Sequence, residues 1–65
     1  MTIGERIRAA RKAAGLRQSD LASRLHVGQG RISDIETGRH GMTLSTLHRI
    51  ALALGCEARD LLPGK

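Results

Sequence analysis

Residues 18–37 read QSDLASRLHVGQGRISDIET, and the architecture of the chain can be worked out from them. Apolar residues recur at helical spacing on both sides of a three-residue turn (26–28), so the pattern predicts one helix over 18–25 and another over 29–37. Gly38 stands where a helix commonly ends. Two short helices joined in this way are typical of a helix-turn-helix, although the same periodicity also fits an αα-hairpin without a binding role.

Three further helices are predicted around this pair. The first covers 2–14, and a fourth begins after Thr43, whose hydroxyl is placed to cap it. A short last helix over 57–62 ends at Pro63 because proline cannot continue a helix. Strand patterns are absent, so the sequence predicts an all-α fold of five helices. The apolar stripes expected to face the core are Ile3, Ile7, Ala10 and Ala14 in the first helix and Leu44, Leu47, Ile50, Ala51 and Leu54 in the fourth.

Length and charge limit the class of protein. A chain of 65 residues allows one domain, predicted over 1–65, because it buries only about 60 % of its unfolded surface. Eleven Lys and Arg residues against six Asp and Glu give a net charge of +5 and an isoelectric point near 11.2. A compact basic domain indicates a polyanionic partner, usually a nucleic acid. The chain has no aromatic residue, so it lacks a platform for stacking on unpaired bases.

Catalytic, metal-binding and membrane functions have no support in the sequence. The single cysteine, Cys56, has no acid–base partner nearby, and its spacing from the three histidines does not suit zinc. The longest apolar run, 50–54, is too short to span a bilayer, and no signal peptide opens the chain. We therefore expect a cytoplasmic protein that is not an enzyme and needs no cofactor, metal or small-molecule substrate.

Several segments in a fixed order resemble the Cro/repressor-type (XRE) family of helix-turn-helix proteins. They are QSDLA at 18–22, Val27, ISDIETG at 32–38, TLSTL at 43–47 and IALALG at 50–55. The resemblance covers almost the whole chain. It implies a five-helix, lambda-repressor-like DNA-binding domain, usually a dimer, that acts as a transcriptional regulator. In that family a valine stands at the place of Cys56, which implies a small buried side chain there.

The chain departs from the family pattern around its helix ends. Arg17 stands where the family often has a capping Thr, and Gly28 replaces the usual Ser or Thr cap. His26 takes the place of a turn glycine, and histidine tolerates a positive φ better than most residues. Gly30 lies in a first turn and weakens that helix by roughly 0.5–1 kcal/mol. None of these changes removes a group that the fold requires.

The second helix of the motif carries the predicted base contacts. At about 100° per residue, Ile32, Ile35 and Glu36 share the inner side, and the opposite face is free to enter a major groove. The side chain of Gln29 can form hydrogen bonds with the edge of adenine, and that of Arg31 with the edge of guanine. Arg31 could instead be a solvated surface charge without a base contact. Asp34 could accept from cytosine or hold Arg31 in place. The base-contact candidates, to which the resemblance also points, are Gln29, Gly30, Arg31, Ser33 and Asp34.

Phosphate contacts are predicted around the start of the first motif helix, where free N–H groups favour an anion. The family commonly has a phosphate-binding Gln at the place of Gln18, although an exposed glutamine without a role would look the same. Arg17 borders this helix start, and Arg39 and His40 follow the second motif helix. The resemblance also implies a partly buried ion pair between Arg11 and Glu36, since family members often join these two places.

A homodimer is expected because so small a module makes few contacts to one DNA half-site. Leu52, Leu61 and Leu62 are candidates for its interface, although Leu61 and Leu62 could instead fill the core of one protomer and Leu52 could be an ordinary exposed leucine. The predicted function is sequence-specific transcriptional regulation, with a homodimer on the major groove of an inverted-repeat operator. The alternatives are an antitoxin whose main partner is a toxin, and non-specific binding to nucleic acid driven by charge.

Overall fold

The structure of the chain, a computed structural model, describes residues 2–39 and 41–62. Within these ranges it contains four α-helices, one short 3₁₀ helix and no strand. None of the described helices is long and apolar enough to cross a bilayer. The α-helices are α1 (Ile3–Ala13), α2 (Gln18–Leu25), α3 (Gln29–Thr37) and α4 (Leu44–Leu54), and the 3₁₀ helix covers Ala58–Leu61. The bounds of α2 and α3 agree with those predicted from sequence.

Threonine hydroxyls close the first turns of α1 and α4: the spacing of Thr2 and Glu5 is typical of a capping box, and Thr43 is the cap predicted above. The Thr2 hydroxyl accepts from the Glu5 N–H at 3.1 Å, and the Glu5 carboxylate accepts from the Thr2 N–H at 2.8 Å. This reciprocal pair is a capping box. At α4, the Thr43 hydroxyl accepts from the Thr46 N–H at 3.1 Å. Each cap satisfies a helix N–H that would otherwise have no partner, which contributes about 1 kcal/mol to stability.

The turn between α2 and α3 depends on a histidine in the left-handed region. His26 has φ 59° and ψ 42°, and in the described ranges it is the only residue other than glycine with a positive φ. The N–H of Val27 donates to the carbonyl of Ala22 at 3.0 Å, so the end of α2 is satisfied although no glycine follows it. The turn takes three residues (26–28), and α3 begins at Gln29.

One aliphatic core lies between the four α-helices and the 3₁₀ helix. Cys56 packs at its edge, and burial, together with the negative charge of Asp60, raises the pKa of its thiol. Two predicted core positions are wrong: Leu44 is 66 % exposed and Ala14 is also exposed, because each lies at a helix end that the neighbouring helices do not cover. The buried residues of the core are Ile7, Leu21, Ala22, Leu25, Ile32, Ile35, Leu47, Ile50, Ala51 and Leu61.

The prediction of five α-helices is wrong, because the segment predicted as the fifth forms only a four-residue 3₁₀ helix. Its bonds run from each N–H to the carbonyl three residues earlier, as from Asp60 to Glu57 at 2.9 Å. Leu62 has φ −78° and ψ 135°, an extended conformation that ends the helix. The following residue, Pro63, disfavours the helical region for Leu62 by steric clash. This restriction shortens the segment that can be helical, and the four residues that remain form a 3₁₀ helix.

Helix α1 lies directly against the carboxyl end of α3, and a glycine allows the contact. Gly4 is buried, and a Cβ added there would lie 2.6 Å from the carbonyl oxygen of Ile35 and 2.5 Å from that of Glu36. Any larger residue would force the two helices apart. The inner side of α3 is therefore held by backbone contact with α1, and the other side remains available to solvent.

Candidate nucleic-acid interface

Helix α3 presents one polar face outside the core. Gln29, Gly30 and Arg31 in its first turn are exposed, and Ser33 and Asp34 are half-buried. The opposite side is packed into the protein, where Ile32 is 1 % exposed and Ile35 is 3 % exposed. The structure thus places all five predicted base-contact residues on the accessible side of α3. Their contacts to DNA stay a prediction.

The two glycines at the start of α3 lie in open space. Gly28 is the N-cap residue and offers no side chain to the first N–H groups of the helix. A Cβ added at Gly28 or at Gly30 would meet no atom within 4 Å. Packing within the protein therefore does not require glycine at either position. The bare backbone leaves room for a close approach by a ligand at this end of α3.

Arg31 and Asp34, which could have paired with each other, form no ion pair among the described residues. Arg31 lies instead beside a small cleft between α3 and α4 that Thr46 and Arg49 also line. Asp34 therefore does not hold Arg31 in place in this structure, which was one of the two roles predicted for it. Its carboxylate is in no ion pair with the described residues.

Of the predicted phosphate contacts, Arg17 is already engaged within the protein. Its Nε donates to Oδ2 of Asp20 at 3.2 Å, and its backbone N–H donates to the same oxygen at 2.8 Å. The side-chain hydrogen bond and then the backbone one lower the pKa of Asp20, and the side-chain hydrogen bond together with the charge of Asp20 raises the pKa of Arg17. Asp20 thereby closes the first turn of α2, although position 17 carries an arginine in place of the capping threonine that is common in the family. Arg39 is exposed after α3, and His40 lies outside the described residues.

Gln18 connects the predicted phosphate site to the predicted base site. Its Nε2 donates to Oε1 of Glu36 at 3.1 Å. Its Oε1 accepts from Nε2 of Gln29 at 3.4 Å. The first residue of α2 and the first residue of α3 are therefore joined by one hydrogen bond. The sequence analysis did not predict this contact, because it depends on how closely the two helix starts approach each other.

The structure brings Arg11 and Glu36 together in a buried pair. Arg11 Nε donates to Glu36 Oε2 at 2.7 Å, and Arg11 Nη2 donates to Glu36 Oε1 at 3.3 Å. Arg11 Nη1 donates to the carbonyl of Leu16 at 2.7 Å. Both charged residues are only 6 % exposed. Because so many of their donors and acceptors are used, the cost of burying the two charges is offset, and α1 is tied to α3.

Two arginines that the sequence analysis did not single out hold α2 against α4. Arg24 Nη1 donates to the carbonyl of Ala53, near the end of α4, at 2.8 Å. In return, Arg49 Nη2 donates to the carbonyl of Leu25, at the end of α2, also at 2.8 Å. A cation at a helix carboxyl end is favoured by the helix dipole as well as by the free carbonyls. This exchange fixes the orientation of the helix that precedes the turn.

The predicted dimer residues have different environments. Leu61 is 1 % exposed in the core of the protomer, so its assignment to an interface is wrong. Leu62 is 43 % exposed and Leu52 is 83 % exposed. Leu52 stands between two shallow grooves on the surface of α4, one of which runs along the 3₁₀ helix past Cys56.

The geometry of α2, its three-residue turn and the accessible face of α3 defines a helix-turn-helix protein. The chain belongs to the helix-turn-helix domain family, whose pattern matches residues 2–63. The resemblance to repressor-type proteins is thereby confirmed.

Individual relatives agree with this assignment. The chain is 42 % identical over 62 residues to the immunity repressor protein of Bacillus phage phi105, covering 95 % of the chain and 43 % of that protein. It matches the restriction-modification controller protein C.AhdI of Aeromonas hydrophila with 32 % identity and a TM-score of 0.87, covering 92 % and 91 % of the two chains. It matches the P22 c2 repressor in complex with a synthetic operator with 34 % identity and a TM-score of 0.86, covering 100 % and 98 %. The chain spans about half the length of the first curated relatives it matches.

Proposed function

We propose that this chain is a cytoplasmic, sequence-specific DNA-binding transcriptional regulator that binds an inverted-repeat operator through the major groove as a homodimer. The observation that carries the proposal is the accessible polar face of α3, backed by a packed apolar face. An α-helix presented in this way fits the width of the major groove of B-DNA. The relatives named as repressors and transcriptional regulators support it. The proposed activity is binding, and it includes no catalysis.

Base reading is assigned to the start of α3. The side-chain amide of Gln29 suits adenine N6 and N7, and the guanidinium of Arg31 suits guanine O6 and N7. Gly30, between them, lets the helix approach the groove closely. Ser33 and Asp34 extend the same face by one turn, and the Asp34 carboxylate can accept from a cytosine amino group.

Affinity is assigned to the phosphate contacts and to the net charge of +5. Gln18 lies in the first turn of α2, where unpaired N–H groups and the helix dipole favour an anion. Arg17 borders this helix start, and Arg39 and His40 follow α3 in the sequence. A protomer that makes about three to five such contacts loses affinity steeply as salt rises.

The homodimer is supported by the exposed apolar surface of α4 and the chain end, where Leu52 and Leu62 lie outside the core. A dimer places two α3 helices on neighbouring major grooves about 34 Å apart, which is one turn of DNA. Because the dimer has a two-fold axis, the operator is expected to be an inverted repeat with the same symmetry. The relatives named above give no support to the antitoxin alternative.

The test is selection of bound duplexes from a random pool, followed by titration of the recovered sequence. An enriched inverted repeat with half-sites one helical turn apart is the expected result. Arg31→Ala should lower the preference at one base pair by about 1–3 kcal/mol. Arg8→Ala is the matched control, because it removes the same charge from an exposed position on α1 and should leave the preferred sequence unchanged. Equal affinity for random and recovered duplexes would instead indicate non-specific binding.

A further inference from the structure

We infer that Glu36, a buried residue on the inner side of α3, is a positioning residue that orients Gln29 for base reading. This rests on the proposed function and adds to it the group that decides which way the reading amide faces. Glu36 is only 6 % exposed, so its own side chain cannot contact a base in the groove. Its influence on the groove passes through Gln18.

The first step is the polarity of the contact between Glu36 and Gln18. A side-chain amide has a donor end and an acceptor end, whereas an ionised carboxylate only accepts. Glu36 is held as a carboxylate partner by two hydrogen bonds from Arg11. Gln18 therefore turns its Nε2 toward Glu36 Oε1, at 3.1 Å. The opposite orientation would place two acceptors against each other.

The second step passes this orientation to α3. Since the NH₂ group of Gln18 faces inward, its Oε1 faces Gln29 and accepts from Gln29 Nε2 at 3.4 Å. One N–H of Gln29 is thereby engaged within the protein. Its other N–H and its Oε1 remain free to pair with N7 and N6 of adenine. A carboxylate in the interior thus selects the amide orientation that suits adenine at the surface.

Glu36→Gln tests the inference because it places a donor where only an acceptor now stands. The new amide can keep its oxygen on Arg11 and direct its NH₂ group to Gln18. The side-chain amide of Gln18 must then turn over, so that its oxygen faces position 36 and its NH₂ group faces Gln29. Gln29 must in turn direct its oxygen to Gln18 and lose the pair of groups that adenine requires. We expect the preference for adenine over other bases at the position read by Gln29 to fall on the order of tenfold.

Arg11→Met is the matched control for loss of the ion pair. It removes the same salt bridge, and at a pH high enough to keep the Glu36 carboxylate ionised it leaves Glu36 as an acceptor for Gln18. We expect this variant to lose stability and yet keep its base preference, measured at a temperature where circular dichroism shows all variants to be folded. A purely structural role of Glu36 predicts that the two variants behave alike.

A second substitution restores the polarity. In Glu36→Gln combined with Gln18→Glu, the carboxylate at position 18 accepts from position 36 and from Gln29 together. The adenine preference should return, while overall affinity falls because a negative charge has been placed beside the predicted phosphate site. Rescue of preference without rescue of affinity is a result that simple destabilisation does not produce.

The readout is the ratio of dissociation constants for duplexes that differ only at the position where Gln29→Ala removes preference. If Gln29→Ala changes the base preference at no position of the operator, the proposed placement of α3 in the major groove is wrong. If Gln29→Ala removes the preference and Glu36→Gln retains it, only the positioning role is overturned. Should Glu36→Gln not fold, Gln18→Met interrupts the same relay without touching the ion pair, and full retention of the adenine preference in that variant overturns the inference.

Discussion

Gly4 of α1 lies directly against the main-chain carbonyl of Glu36 in α3. A Cβ at position 4 would come within 2.5 Å of that oxygen. The obstacle is backbone rather than a flexible side chain, so the two helices would have to separate. The contact fixes the distance between α1 and α3 and supports the inner side of the proposed recognition helix.

The first prediction follows from this contact. Gly4→Ala should lower the free energy of unfolding by about 1–3 kcal/mol, the usual cost of overpacking a core, despite the better helix propensity of alanine. Urea or thermal unfolding followed by circular dichroism measures it. Gly41→Ala is the control, because a Cβ there meets no atom within 4 Å. A stabilised Gly4→Ala protein would contradict the close approach.

The buried pair of Arg11 and Glu36 leads to a second prediction. Arg11→Ala leaves the Glu36 carboxylate buried without its main partner, and such losses cost about 3–5 kcal/mol. For a domain of this size that is a large part of the total stability, so the thermal midpoint should fall sharply. Lys12→Ala, at the exposed neighbouring position, should change stability by less than about 0.5 kcal/mol. An unchanged midpoint in Arg11→Ala would mean that the pair does not hold α1 to α3.

Gly30 offers a substitution that should separate stability from binding. The position is exposed within α3 and a Cβ meets nothing there, so Gly30→Ala should stabilise the protein by about 0.5–1 kcal/mol. If the helix approaches base edges at this point, affinity for the recovered operator should fall at the same time. Ser45→Ala, on the exposed side of α4, is the control and should leave affinity unchanged. A tighter-binding Gly30→Ala protein would argue against close approach at this residue.

Asp20 makes stability depend on acid pH. Hydrogen bonds from Arg17 lower the pKa of the Asp20 carboxyl in the folded protein. The resulting stabilisation is complete above the pKa of an unfolded aspartate, about 3.9, and is lost as the pH falls through the lower folded-state pKa. The free energy of unfolding of the parent protein should therefore exceed that of Asp20→Asn at neutral pH and approach it in strong acid. Parallel pH profiles for the two proteins would contradict this assignment.

The exposed leucines of α4 provide a matched test of the proposed dimer. Leu52→Glu places a charge in the apolar surface assigned to the interface, so self-association should weaken at least about tenfold, because a buried unpaired charge costs several kcal/mol. Leu44→Glu changes a similarly exposed leucine at the other end of the same helix and should leave self-association unchanged. Sedimentation equilibrium measures both. Equal self-association in the two variants would place the interface elsewhere.

The bounds of the helix-turn-helix could be predicted because local signals agree with one another. Apolar spacing defines α2 and α3, and the glycine after α3 marks its end. His26 occupies a left-handed turn position that the sequence pattern assigns to glycine in related proteins. The outer face of α3 follows from rotation alone, since Ile32 and Ile35 must face the core.

The remaining features depend on distances between helices, which periodicity does not contain. Leu44 lies on the apolar stripe of α4, but its position at the helix start leaves it uncovered. The helix expected after Glu57 competes with the restriction that Pro63 places on the residue before it. The contact between Gly4 and α3, and the link from Glu36 through Gln18 to Gln29, appear only when the helices are packed.

The hydrogen bonds from Arg24 to the carbonyl of Ala53 and from Arg49 to the carbonyl of Leu25 make α2 and α4 mutually dependent. The end of each helix has a carbonyl whose partner is supplied by the other helix. If α4 detaches, Leu25 loses its donor and the turn before α3 loosens. If α2 detaches, the carbonyl of Ala53 near the end of α4 loses the hydrogen bond from Arg24. The amides of these helices should therefore exchange with solvent at matching free energies of opening, as one cooperative unit, and the turn should share the slow exchange of the interior although it lies at the surface.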